Sequence, residues 1–208
     1  LMASILSFVA ILSLIFLKAD LGKASTKPKF SQMFSSNKQL NNLSAARLFL
    51  FAARDVWFVI ALPIYLTSQL NWPQEFIGGF IAVWIVVYGI VQASSGKFLK
   101  ITNESLPTGS RLAHWATALA FVTAMIPLLL SLSLPISAST VIVVSLMFFA
   151  VIFAANSALH SYAIVAIAKS DGVSMDVGFY YMANAMGRLL GTVLSGWVFQ
   201  QYGLNYCL

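Results

Sequence analysis

The sequence predicts an all-α, polytopic transmembrane bundle, on three observations. Of its 208 residues, 60% are hydrophobic and only 9% are charged, against about 25% charged in soluble domains. With a mean hydropathy of +0.86, so few charges cannot cover a water-facing surface. Apolar runs recur at the length of roughly 20 residues that crosses about 30 Å of hydrocarbon. These runs do not alternate in polarity, residues 76–92 being an example, which excludes the alternating strands of a membrane β-barrel. Helices are then the structure that pairs every backbone group in lipid.

The first run, residues 1–17, lacks the basic flank and small-residue cleavage site of a signal peptide and reads as the tail of a span. Residues 18–42 follow as a basic, polar loop, with Lys18, Lys23, Lys27, Lys29 and Lys38 against Asp20. Further spans are expected at 43–68, 76–96, 111–133, 139–168 and 177–202. The loops between them alternate in charge. Residues 70–76 and 134–138 hold no Lys or Arg, whereas Lys97, Lys100 and Arg111 flank one loop and Lys169 marks another, beside Asp171 and Asp176. By the positive-inside rule, loops 18–42, 97–110 and 169–176 face the cytoplasm of a plasma or inner membrane. The organisation expected is the end of one helix at 1–17, a central loop at 18–42 and a bundle at 43–208. A chain that opens inside a span reads as part of a longer protein. If loop 18–42 joins two six-helix halves, the spans are helices six to eleven of a twelve-helix transporter.

The formal charge of +6 raises the question of nucleic acid, but the basic residues lie in loops between apolar runs, where they orient the protein in lipid. No nucleic-acid partner is expected. The single cysteine, Cys207, makes neither a disulfide framework nor a metal cluster. No phosphate-cradling glycine loop, paired metal ligands or nucleophile with a placed base occurs, so neither an enzyme nor a cofactor is expected.

Charges near the bilayer centre cost about 2.5–3.5 kcal/mol on insertion scales and are functional candidates by default. Arg54 and Asp55 lie deep in the second span and Arg188 equally deep in the last. Two guanidinium forks at matching depth suit a phosphate- or carboxylate-bearing substrate, with Asp55 as counter-ion or proton carrier. Adjacent helical residues point about 100° apart, so Arg54 and Asp55 are expected to face different partners. Arg47, about one turn inside the span, is expected to snorkel to the headgroups. Asn156 and His160 share a face of the fifth span, the first as a substrate contact and the second as a proton or ion-coupling group; Asn184 is a further substrate contact. His114 is interfacial. Gly187, Gly191 and Ser195 form a small-residue stripe for close helix packing. Pro63, Pro127 and the pair Gly78 and Gly79 are candidate kinks, and Trp72 suits the interfacial belt.

Three stretches carry a family resemblance: residues 43–58 (LSAARLFLFAARDVWF), 156–162 (NSALHSY) and 176–197 (DVGFYYMANAMGRLLGTVLSGW). The chain resembles, over nearly its whole length, the organoarsenical efflux permeases (the ArsJ family) of the major facilitator superfamily. That resemblance implies the C-terminal half of a twelve-helix secondary transporter. It further implies export of 1-arseno-3-phosphoglycerate, an arsenate ester made by a partner glyceraldehyde-3-phosphate dehydrogenase, and hence arsenate resistance. An ester of pentavalent arsenic needs no thiolate ligand. The chain departs from the superfamily at loop 97–110, where the Gly-x-x-x-Asp-Arg-x-Gly-Arg gating motif is reduced to Gly96, Lys97 and later basic residues. Other readings of the same residues are a superfamily exporter of another organic anion, a sugar phosphate or a drug, and, more remotely, a membrane-embedded enzyme or scaffold.

Overall fold

The structure is a computed structural model that describes residues 2–16, 37–101, 107–132, 135–168 and 173–208. Among the described residues seven helices follow one another: α1 (Met2–Ile15), α2 (Lys38–Phe58), α3 (Ala61–Ser68), α4 (Gln74–Phe98), α5 (Gly109–Ser131), α6 (Ala138–Ile167) and α7 (Val173–Tyr202). A short 3-10 turn, Leu204–Tyr206, comes last, and there is no strand among the described residues. Four helical stretches are long and apolar enough to cross a membrane: α2 with α3 (Lys38–Ser68), α4, α5 and α6.

Among the described residues these correspond to the expected spans at 43–68, 76–96, 111–133 and 139–168. α1, expected as the tail of a span, has 14 apolar-rich residues. α7 has 30 residues, but Asn184, Arg188, Thr192 and Ser195 lower its apolarity. Lys18, Lys23, Lys27 and Lys29 of the expected basic loop, and Lys169 and Asp171, lie outside the described residues.

Local chemistry sets the helix starts. Asn37 Oδ1 accepts a hydrogen bond from Gln39 N at 3.0 Å, Thr108 Oγ1 from Arg111 N at 3.4 Å and Ser137 Oγ from Thr140 N at 3.1 Å, each satisfying an N–H that the helix leaves open. The Asn37 cap starts α2 at Lys38, so the end of the expected loop 18–42 is helical instead. Pro63 explains the break between α2 and α3. It has no N–H for the carbonyl of Val59, and its ring clashes there, so regular helix stops at Phe58 and resumes at Ala61. The freed Ala61 N–H donates to Ser195 Oγ of α7 at 3.1 Å.

α2 and α7 run parallel in the most extensive contact of the bundle. A Cβ at Gly187 would overlap the Leu48 carbonyl, and one at Gly191 would lie 2.6 Å from the Ala52 oxygen, so only glycine lets the two backbones approach this closely. α6 forms the other centre, buried continuously from Phe153 to His160. α4 packs along it in parallel, pinned by Trp84 Nε1 donating to Leu146 O at 2.8 Å and by Trp72 Nε1 donating to Ser139 Oγ at 3.0 Å. α5 packs against α6 in the opposite sense. The core is aromatic: Trp57 meets Phe149 edge to face at 4.9 Å, and Phe149 stacks on Phe153 at 5.6 Å.

Candidate functional site

Midway along the 31-residue span Lys38–Ser68, Asp55 is fully buried and takes up two arginines. Arg54 Nε donates to Asp55 Oδ1 at 2.6 Å, and Arg188 Nε, midway along α7, donates to Oδ2 at 3.2 Å. The expectation that Arg54 and Asp55 face different partners does not hold. The 100° offset applies to Cα–Cβ directions, and the Arg side chain is long enough to curl back to its neighbour. Aromatic faces fix that curl, the Arg54 guanidinium carbon lying 4.8 Å from the Phe51 ring centre and 4.9 Å from that of Phe153. One carboxylate thus sits among two guanidinium groups, leaving an excess of one positive charge. Exposure divides the pair: the Arg54 side chain is 11% exposed, that of Arg188 58%.

A second polar group lies nearer the end of the bundle where Lys38, Lys97, Lys100 and Arg111 gather. Arg47 does not snorkel. It is buried, its Nη1 donating to both the carbonyl and the hydroxyl of Ser157 at 3.1 Å, with its guanidinium carbon 4.2 Å from the Phe51 ring centre and 5.3 Å from that of Tyr180. Phe51 therefore lies between Arg47 and Arg54 on one face of α2, at the helical spacing that aligns all three. His160, one turn from Ser157 on α6, is buried with no partner for its Nδ1.

The remaining expected site residues divide. Asn156 is buried but turns away from the arginines, its Nδ2 donating to Trp115 O of α5 at 2.6 Å, and its Oδ1 has no partner. Asn184 is half-buried one turn before Arg188 on α7, its Oδ1 also without a partner. Gly187 and Gly191 meet α2 backbone, and Ser195 caps the α2–α3 break. His114 is exposed near the start of α5, its Nδ1 2.7 Å from Ser110 O. Among the described residues, no three His, Cys, Asp or Glu side chains gather as a metal site.

Sequence reasoning missed Arg47 and Ser157 as a buried polar pair, and the burial of Ser44 one turn before Arg47. The available signal was spacing, since Ser44, Arg47, Phe51 and Arg54 recur every three or four residues along one face of α2. No protein family, curated protein or solved structure matches the chain.

Proposed function

We propose that this chain is the membrane-embedded, anion-binding part of a secondary efflux transporter, with Arg54 and Arg188 as the groups that take the substrate's negative charge. One observation carries the reading: two arginines from the midpoints of different helices share the single carboxylate of Asp55, and one of them keeps 58% of its side chain exposed. An exposed guanidinium at that depth is costly against hydrocarbon, so the outer face of α7 is read as facing a polar cavity or a second helical bundle. Asp55 holds the arginines in place when substrate is absent and acts as counter-ion or proton carrier as it binds. Asn184, one turn before Arg188 on α7, is assigned as a further substrate contact and His160 as a proton- or ion-coupling group, whereas Asn156, turned toward Trp115 of α5, is left out of the site.

The family resemblance supplies the specific form of this proposal. The chain then covers helices six to eleven of a major facilitator, with loop 18–42 on the cytoplasmic side, and the exported anion is the arsenate ester 1-arseno-3-phosphoglycerate. Everted vesicles from cells expressing the full-length protein test it. Arsenate-dependent accumulation that disappears in the double variant Arg54→Ala, Arg188→Ala is the expected result. Transport and arsenate resistance retained in that variant would remove the proposed anion site. The excess positive charge is equally suited to a sugar phosphate or another organic anion, and competition by 3-phosphoglycerate without any arsenate requirement would assign the carrier to that substrate class.

A further inference from the structure

α6 packs against both α2 and α5, and at the basic end of the bundle a cleft of about 560 Å³ runs between those two helices with α6 as its floor. It extends from Gln39 to Ala46 on α2 and from Gly109 to Ala116 on α5, two helical turns or about 10 Å along each. Because α2 and α5 begin here and α6 ends here, that depth runs from the headgroups into the first part of the acyl region. Gln39 and Asn42 stand exposed toward the mouth, whereas Leu43, Leu112 and Ala163 line the interior. His160, at the inner end, is 4% exposed and adds little polar surface. The rim residues Ala46, Ala113 and Ala116 are exposed, so no described part of the chain closes the cleft from the side, and in a bilayer it opens onto hydrocarbon.

Charge completes the match to an amphiphile. Lys38 is exposed immediately before Gln39, and none of the described lining residues is acidic. Asp176, the one acidic residue described at this end, is buried on α7. A basic pocket between transmembrane helices is a setting in which anionic headgroups are held, and the positive-inside rule puts this end at the leaflet that carries them.

We propose that the cleft is a binding site for an anionic phospholipid, one acyl chain lying between α2 and α5 against Leu43, Ala46, Leu112 and Ala116, with the phosphate at Lys38. The site goes beyond the carrier reading, since none of its residues belongs to the Arg54–Asp55–Arg188 group and lipid binding needs no transported substrate. Acyl contacts are common to all phospholipids, so selectivity comes from the lysine, which favours an anionic over a zwitterionic headgroup by about fivefold.

The full chain in nanodiscs of phosphatidylcholine receives a trace of either phosphatidylglycerol or phosphatidylcholine with a photoactivatable diazirine in one acyl chain. After illumination, peptide mass spectrometry gives the labelling at Ala46 and Ala116 relative to Phe121, which is 66% exposed on α5 outside the lining. That ratio is expected to be about five times higher for the phosphatidylglycerol probe and to fall when unlabelled phosphatidylglycerol competes. Lys38→Gln, a change at an exposed residue, brings the two probes to equal ratios without altering thermal unfolding, and Ala46→Phe, which fills the cleft, removes labelling at Ala116 by both. Equal ratios for the two probes in the native chain, a preference that survives Lys38→Gln, or competition by soluble glycerol phosphate as strong as by the lipid overturns the site. Labelling at Phe121 with none in the cleft means that another segment of the protein or a second copy covers it, and overturns the site as well.

Discussion

Arg188 Nε donates to Asp55 Oδ2 at 3.2 Å, joining the midpoint of α7 to the midpoint of α2. The same carboxylate carries Arg54 on its other oxygen. The two arginines are unequal partners, because Arg54 is packed between aromatic rings whereas Arg188 is mostly exposed. Asp55 is therefore the group whose loss leaves a buried charge uncompensated.

Asp55→Asn is expected to destabilise the bundle by about 3–5 kcal/mol, the usual cost of removing one member of a buried ion pair. Arg188→Gln removes a largely exposed partner, for which a loss under about 1 kcal/mol is expected. Thermal unfolding in detergent ranks the two. A loss for Arg188→Gln as large as for Asp55→Asn would contradict the shared-carboxylate account.

Run length and charge depth made the helical class and the deep charges Arg54, Asp55 and Arg188 legible in the sequence, because hydrocarbon thickness and the cost of intramembrane charge act on residue type alone. Side-chain reach and helix phase were not legible. Arg47 looked shallow only because the span was taken to begin at residue 43. The Asn37 cap starts α2 at Lys38 and places Arg47 further in, opposite Ser157. Arg54 turns back to Asp55 because Phe51 and Phe153 guide it, and Phe153 is far away in sequence. Likewise, Pro63 announces a helix break, but nothing local reveals that Ser195 receives the freed N–H.

Two glycines of α7 should respond to alanine with opposite signs. A Cβ at Gly187 would occupy the space of the Leu48 carbonyl, whereas one at Gly178 meets nothing within 4 Å. Gly187→Ala is expected to cost about 1–3 kcal/mol as the helices are forced apart. Gly178→Ala should gain up to about 1 kcal/mol from helix propensity. Melting curves of the two single variants decide it, and equal shifts would rule out close α2–α7 packing at Gly187.

Cys207 donates from Sγ to Gly203 O at 3.5 Å, and burial pushes its thiol pKa up. A folded pKa above the unfolded value means that the thiol's contribution to stability is complete below the ordinary thiol range of about 8.5 and is lost as pH rises through the folded value. The melting temperature of the native chain should therefore fall more steeply above about pH 8.5 than that of Cys207→Ser. Parallel pH profiles for the two proteins would show that the thiol is not protected in the folded state.

Pro63 and Ser195 act on the same backbone group and should therefore be coupled. The proline prevents the regular helical pairing that would carry α2 into α3, and the serine hydroxyl accepts from the Ala61 N–H left over at the break. Ser195→Ala strands that buried donor, with an expected cost of about 1–3 kcal/mol. In a Pro63→Ala background the helix can run on and Ala61 N–H can pair with the carbonyl of Trp57, so the same Ser195→Ala change should cost less. A double-mutant cycle on unfolding free energy measures the difference, with a coupling of about 1 kcal/mol expected for residues that share one partner. Additive effects would mean that Ala61 N–H remains dependent on Ser195 whatever stands at position 63, and that the break has a cause other than the proline ring.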